Sequence, residues 1–327
     1  MPRFGAEYII PRPFDPRLLT VLAPAVANAA MDSGIAQRPI VDMPAYEEKL
    51  AQFIYRTGLL MKPVYDRARR DPKRVVYAEG EEETVLLAVQ TVIDEGLARP
   101  ILIGRPDVID ARIQRLSLRM RPGVDFDLTN IHDDPRFNDY WQHYHRIMER
   151  RGVTPALAKA VVRSRSTVIS ALMVERGDAD ALICGVVGRY AKKLQYIRDV
   201  IGLDAGVATP SSMSAVFNDK GVFFFLDTHV QAEPCAEEIA EAALQAAIRL
   251  KLFGIPPKIA LLSHSNFGSS ESASACKMRR VLEILRQRAP KLEVEGEMQA
   301  DAALSEEIRE HLFPHSTLKG RANLFVF

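Results

Sequence analysis

The chain has 327 residues, 47% of them hydrophobic, and carries 43 Lys and Arg against 42 Asp and Glu for a net charge of +1. That length and composition fit a soluble globular protein of two domains and exclude a disordered chain. The charge balance excludes a global field toward nucleic acid or an anionic membrane, so any anion site is local.

Three scattered cysteines, Cys184, Cys235 and Cys276, show no CxxC or Cys/His spacing. They argue against a disulfide framework or structural zinc and for a reducing, cytoplasmic setting. Residues 1–44 carry Pro2, Pro11, Pro13, Pro16, Pro24, Pro39 and Pro44, which break long elements and leave one short helix between extended pieces. The run "LLTVLAPAVANAA" at 18–30 imitates a secretory signal. Glu7 and Asp15 ahead of it and Pro24 interrupting it favour an ordinary amphipathic helix, too short to span a bilayer.

From Tyr46 the spacing predicts a helix to about Arg70, a strand at 74–80, a helix at 82–96 and a strand at 100–105. A helix over 154–176 and a strand over 179–185 follow. Beyond a Gly, Pro and Ser cluster at 202–212, the pattern predicts strands at 221–230, 258–265, 292–298 and 322–327, with helices at 236–253 and 271–287. Short apolar strands alternating with amphipathic helices make the class α/β, with mostly parallel sheets covered on both faces.

The first candidate site is "GDADALICGVVGRYAKKLQ" at 177–195. A buried strand leads to a turn bracketed by Gly185 and Gly188, then to a helix with Tyr190, Leu194, Ile197 and Ile201 on one face. Arg189, Lys192, Lys193 and Tyr196 fall on the other. Cations in a helix's first turn are unfavourable by about 0.3–1 kcal/mol each at low salt. An anion docked between them and the free N–H groups would reverse that; a solvated cationic face is the alternative.

The second candidate is "LLSHSNFGSSES" at 261–272, a strand, a Ser- and Gly-rich loop and a helix that Ser269 or Ser270 could cap. Such loops hold phosphates or carboxylates, here through Ser263, Ser265 and their neighbours, although plain capping explains the composition equally. No GxxxxGK[ST] occurs, and no GxGxxG follows a strand. His264 ends a strand, where α/β proteins place ligands, yet no Ser/His/acid spacing marks a triad. Glu297, Gln299 and Asp301 in "GEMQADAA" sit at another strand end, as polar site residues or caps. His143 and His145 face apart, and His311 and His315 enclose Pro314, so neither pair is expected to bind metal.

Two separated stretches, "FFFLDTHVQAEPCAEEIAEAALQAAIRLKLFGIPPKIALLSHSNFGSS" and "EVEGEMQADAALSEEI", resemble the phosphate acetyltransferase family from about residue 46 onward. Residues 1–44, with "FGAEYIIPRPFDPRLLTVLAPAVANAAMDSGIA", resemble the end of the catalytic part of bacterial NADP-dependent malic enzymes, whose long form fuses an acetyltransferase-like region behind it. The resemblance implies two three-layer αβα subdomains, at 45–205 and 206–327, of the isocitrate and isopropylmalate dehydrogenase type, with a cleft between them. It implies that malate oxidation, with NADP and Mg or Mn, belongs to an upstream part absent from this chain.

Two departures weigh against transfer chemistry. Gln195 stands where free acetyltransferases carry Arg, and the family continues past "ANLFVF" to a Ser-Arg and Asp segment that would carry catalysis. The expectation is a non-catalytic regulatory and oligomerisation module that binds acetyl-CoA as an allosteric inhibitor. Arg189, Tyr190, Lys192, Lys193 and Gln195 would face the phosphates, with Ser263, His264, Ser265, Ser269 and Ser270 toward the thioester. A working acetyltransferase and a ligand-free assembly domain are the alternatives. The strand at 322–327 is expected to leave an exposed edge that promotes association.

Overall fold

The computed structural model describes residues 17–218 and 220–327, the side chains of residues 17, 51–60 and 62 excepted. The extended pieces expected before residue 17 lie outside the described residues. Helix α1 (Arg17–Asp32) runs through Pro24 and α2 (Met43–Arg70) runs through Pro63. A proline deletes one backbone bond, and the flanking turns carry both helices across it, so the expected interruption at Pro24 does not occur. Beyond these helices the chain divides into two compact units, Val64–Ala208 and a second containing Thr209–Phe327.

The first unit contains β1 (Lys73–Tyr77), α3 (Glu83–Asp94), β2 (Ala98–Ile103), α4 (Pro106–Arg115), β3 (Asp127–Thr129), α5 (Phe137–Met148), α6 (Pro155–Ser164), α7 (Ser166–Glu175), β4 (Ala181–Ile183) and α8 (Tyr190–Val200). Its strands pair in the order β3-β2-β1-β4, all parallel. Alternate strand residues point to opposite faces. Val76, Ile101 and Ile103 therefore join one core with Val162, Ile169 and Leu172, while Tyr77 and Leu102 join another with Leu86, Val89 and Ile109. The single helix expected over 154–176 is two. Arg165 leaves the helical region at φ −126°, ψ 93°, and the Ser164 hydroxyl folds back onto the Ala160 carbonyl at 2.8 Å, a local bond that competes with helix continuation. Every residue of α7 from Thr167 to Met173 is buried.

The second unit contains β5 (Met213–Asn218), β6 (Gly221–Leu226), α9 (Ala236–Leu252), β7 (Lys258–Leu262), α10 (Ala273–Arg288), β8 (Glu293–Met298), α11 (Ala300–Leu304), α12 (Glu306–Leu312) and β9 (Leu324–Val326). Strand order is β5-β6-β9-β7-β8, with β5 antiparallel to β6 and the remaining pairs parallel. Leu226, Ile259, Leu261, Leu324 and Val326 pack under α9 and α10, and α9 meets them with a small face of Ala240, Ala243, Ala246 and Ala247. Phe223, Ala260, Met298 and Phe325 cover the other face with Ala302 and Ala303. Burying one such Leu or Ile contributes about 1.5–3 kcal/mol.

Strand β9 corrects an expectation. It lies between β6 and β7, with Leu324, Phe325 and Val326 all at most 3% exposed, and so leaves no free edge. Strand β6 stops four residues short of the expected 230. The Asp227 carboxylate collects the N–H groups of His229, Val230 and Gln231 and the Ser212 hydroxyl, which turns the chain out of the sheet. No described helix is long and apolar enough to cross a membrane.

Candidate functional site

Parallel sheets collect functional groups at the carboxyl ends of their strands, and each unit does so separately. In the first unit, Tyr77 pairs with Ile183 in register, so the residues two further on, Glu79 and Gly185, fall side by side. The Gly185 N–H donates to both Glu79 carboxylate oxygens, at 3.2 and 3.1 Å. From the first turn of α8, the Lys193 ammonium donates to Glu79 Oε1 at 2.5 Å and to Thr167 Oγ1 at 2.9 Å.

This pair is sheltered, with the Glu79 side chain 8% and that of Lys193 19% exposed. The charge of Lys193 is thus met by a carboxylate of the chain itself. Nearby, burial pushes the Cys184 thiol above its ordinary pKa, and the Glu79 charge adds to the effect.

The two other cations remain outside. Arg189 is exposed at the N-cap of α8; its carbonyl accepts from the Lys192 and Lys193 N–H groups, and its guanidinium makes no hydrogen bond or ion pair among the described residues. Lys192 is exposed; its ammonium donates to Gln195 Oε1 at 3.1 Å and lies 5.1 Å from the Tyr196 ring centre, with no acid partner. The expected faces of α8 are partly exchanged. Tyr190 is 54% exposed and Ile201 40%, while Tyr196 packs against the core beside Val200. The helix begins at Tyr190, which sets Lys193, Tyr196, Ile197 and Val200 on the inward side at three- and four-residue spacing.

In the second unit a bulge organises the site. The β7–β8 register advances from Leu261↔Gly296 to Leu262↔Met298, which makes Glu297 the extra residue. Gly296 lies at φ +150°, and an added Cβ would sit 2.6 Å from the Leu261 carbonyl oxygen, so a side chain is excluded there. Glu297 is fully buried. Its Oε1 accepts from Ser265 Oγ at 3.0 Å, the Gly268 N–H at 2.9 Å and Arg279 Nη1 at 3.1 Å, and its backbone carbonyl accepts from the Phe267 N–H.

Asn266 and Gln299 clamp the loop reciprocally. The Asn266 amide donates to Gln299 Oε1 at 3.2 Å, and the Gln299 N–H donates to Asn266 Oδ1 at 2.8 Å. The Gln299 amide also holds the His264 carbonyl at 3.0 Å. His264 is exposed, with Nε2 3.3 Å from both Ser270 Oγ and Ser272 Oγ and Nδ1 3.5 Å from Ser263 Oγ.

The cap of α10 is Ser272, which accepts from the Ala275 N–H, and neither Ser269 nor Ser270 takes that role. Ser269 instead accepts from the Asn266 N–H at 3.1 Å inside the loop. Asp301 accepts from its neighbour Ala302 N–H at 2.7 Å in the first turn of α11, whose N-cap is Gln299. Ser263, His264, Ser265, Ser270, Glu297 and Gln299 therefore form one connected cluster, which Asp301 does not join.

Sequence reasoning missed Glu79, Asn266 and Arg279. For Glu79 a signal existed, an acid two residues past a strand that pairs with the strand ending at Ile183. For the other two only the loop's folded path brings them in. Among the described residues no group of three or more His, Cys, Asp or Glu is arranged to hold a metal ion.

Residues 59–327 match the phosphate acetyl/butaryl transferase family. The NADP-dependent malic enzyme of Escherichia coli is 54% identical over 99% of this chain, which spans 43% of that enzyme's length and matches its C-terminal region. The phosphate acetyltransferase of Thermoanaerobacterium thermosaccharolyticum is 30% identical, with 82% of each chain covered. The crystal structure of a phosphotransacetylase from Streptococcus pyogenes superposes with a TM-score of 0.76 at 26% identity, covering 82% of this chain and 80% of that one. The chain belongs to the phosphate acetyl/butaryl transferase family.

Proposed function

We propose that this chain is the regulatory module of a longer malic enzyme and that it binds acetyl-CoA as an allosteric inhibitor. Malate oxidation, with its NADP and divalent metal, belongs in this reading to another part of the longer protein. The observation that carries it is the pair of uncompensated cations at the start of α8. The Arg189 guanidinium has no partner among the described residues, Lys192 has no acid, and the helix end adds its own partial positive charge. A multiply charged phosphate ligand supplies what that end lacks, with Tyr190 and Gln195 beside it. Lys193, already paired with Glu79, is not one of the contacts in this reading. The loss of the family's Arg at Gln195 argues for binding without transfer.

Thermal unfolding of the full chain with acetyl-CoA tests the proposal. At a hundredfold excess over Kd the ligand adds about 2.7 kcal/mol of stability. Each of Arg189→Glu and Lys192→Glu is expected to weaken binding by about 10- to 100-fold, since hydrogen bonds to charged groups contribute about 1.5–3 kcal/mol. A flat response to acetyl-CoA in the folded chain refutes the proposal. Phosphate-dependent release of CoA would replace it with a transferase, a reading that the hydroxyl cluster around His264 favours.

A further inference from the structure

The cluster around His264 contains a nucleophile, a base and free backbone donors in one loop of the second unit. Ser270 Oγ lies 3.3 Å from His264 Nε2, within the looser range seen for serine and its base before substrate binds. In the tautomer where Nε2 accepts, Nδ1 carries the proton and faces Ser263 Oγ at 3.5 Å. The Ser272 N–H donates to Ser270 Oγ at 3.2 Å, a contact that stabilises negative charge developing on that oxygen. The N–H groups of Ala273 and Ser274 open α10 and donate to no acceptor among the described residues.

The loop is held rather than loose. Glu297 binds three of its donors, the Asn266–Gln299 clamp closes it, and Gln299 fixes the His264 carbonyl. Phe267 sits at φ +48°, a left-handed conformation that costs energy in a residue with a side chain. Backbone strain of this kind, maintained by surrounding bonds, is found where a loop presents reactive groups.

We infer that Ser270 is an acyl acceptor, with His264 as its base, toward activated esters. In the forming step Ser270 Oγ attacks the acyl carbon while its proton passes to His264 Nε2. The carbon–leaving-group bond breaks with its electron pair on the leaving group, which takes the proton from Nε2. The Ala273 and Ser274 N–H groups receive the carbonyl oxygen while it bears charge. Water then attacks the acyl-serine, again through His264, releasing the carboxylic acid and restoring Ser270. Ser272 lies at the same distance from Nε2, but its oxygen is the cap of α10, so Ser270 is the nucleophile. Arg189 and Lys192 take no part, so this inference stands or falls independently of acetyl-CoA binding.

The test is exposure of the full chain to p-nitrophenyl acetate, with the nitrophenolate burst followed by absorbance and the acetyl group located by peptide mass spectrometry. The expected result is one acetyl group on Ser270. The burst is expected to disappear in Ser270→Ala and to fall about a hundredfold in His264→Gln, the contribution of a positioned base. Ser270→Cys is expected to carry the acetyl group on sulfur. Melting curves of each variant show that the fold is retained. Acetylation at Ser272, at lysines or nowhere overturns the inference, as does a burst in His264→Gln equal to that of the parent.

Discussion

Replacing Lys193 by Met tests whether the charge at the start of α8 is balanced internally. The change removes the ammonium from Glu79 Oε1 and Thr167 Oγ1 and leaves a carboxylate that is 8% exposed with only the Gly185 N–H on it. Breaking a buried pair by deleting one partner costs about 3–5 kcal/mol. The remaining N–H contact and the partial hydration of Lys193 reduce this to about 2–3 kcal/mol here. For a unit of this size that is a fall in melting temperature of about 5–10 °C.

Adding Glu79→Gln to Lys193→Met removes the orphaned charge and is expected to restore most of the loss, because replacing both members of such a pair is often close to neutral. The four melting curves form a double-mutant cycle with an expected coupling of about 2 kcal/mol. Additive effects, or a Lys193→Met variant within 0.5 kcal/mol (roughly the spread of surface substitutions) of the parent, would refute the pairing argument. Phosphate or acetyl-CoA would then regain Lys193 as a contact.

Ser272→Ala removes the cap of α10 and is expected to cost about 1 kcal/mol by urea denaturation. Gly80→Ala places a Cβ 2.7 Å from the Ile103 carbonyl oxygen and 2.9 Å from Leu102 Cβ; a loss of about 1–3 kcal/mol is expected from this overpacking. Arg74, through the hydrogen bonds of its guanidinium and then that of its backbone N–H, holds the Asp180 carboxyl down to about 2. Because the folded value is depressed, the stabilisation is complete above the ordinary carboxylate value near 3.8 and is lost as pH falls through about 2. Carboxyl NMR of Asp180 should show that titration, and Arg74→Ala should raise it toward the ordinary range while the backbone N–H contact remains.

The alternation of short apolar strands and amphipathic helices made the α/β class legible, since a two-residue period in Val76, Tyr77, Ile101, Leu102 and Ile103 feeds two cores at once. The break at Arg165 was not legible, because both flanking segments are good helix and only a local Ser164 bond and the burial of α7 separate them. The three cations at the start of α8 are legible in the sequence as a group. Their unequal fates are not, because the partner of Lys193 lies 114 residues earlier in the chain. Linear spacing marks no Ser/His/acid triad around His264; a loop that doubles back through Phe267 brings Ser270 to its ring.

Strand β9 occupies the middle of its sheet although it follows the other four strands of that sheet in the chain. Until residues 324–326 leave the ribosome, β5–β6 and β7–β8 are two separate ribbons, each with one inner edge unpaired. The four-stranded sheet of the first unit ends at β4 and can close much earlier. Synthesis therefore imposes an order, in which the first unit can be complete while the second still waits for its central strand. During that interval the β6 and β7 edges are the surfaces that a chaperone would need to shield.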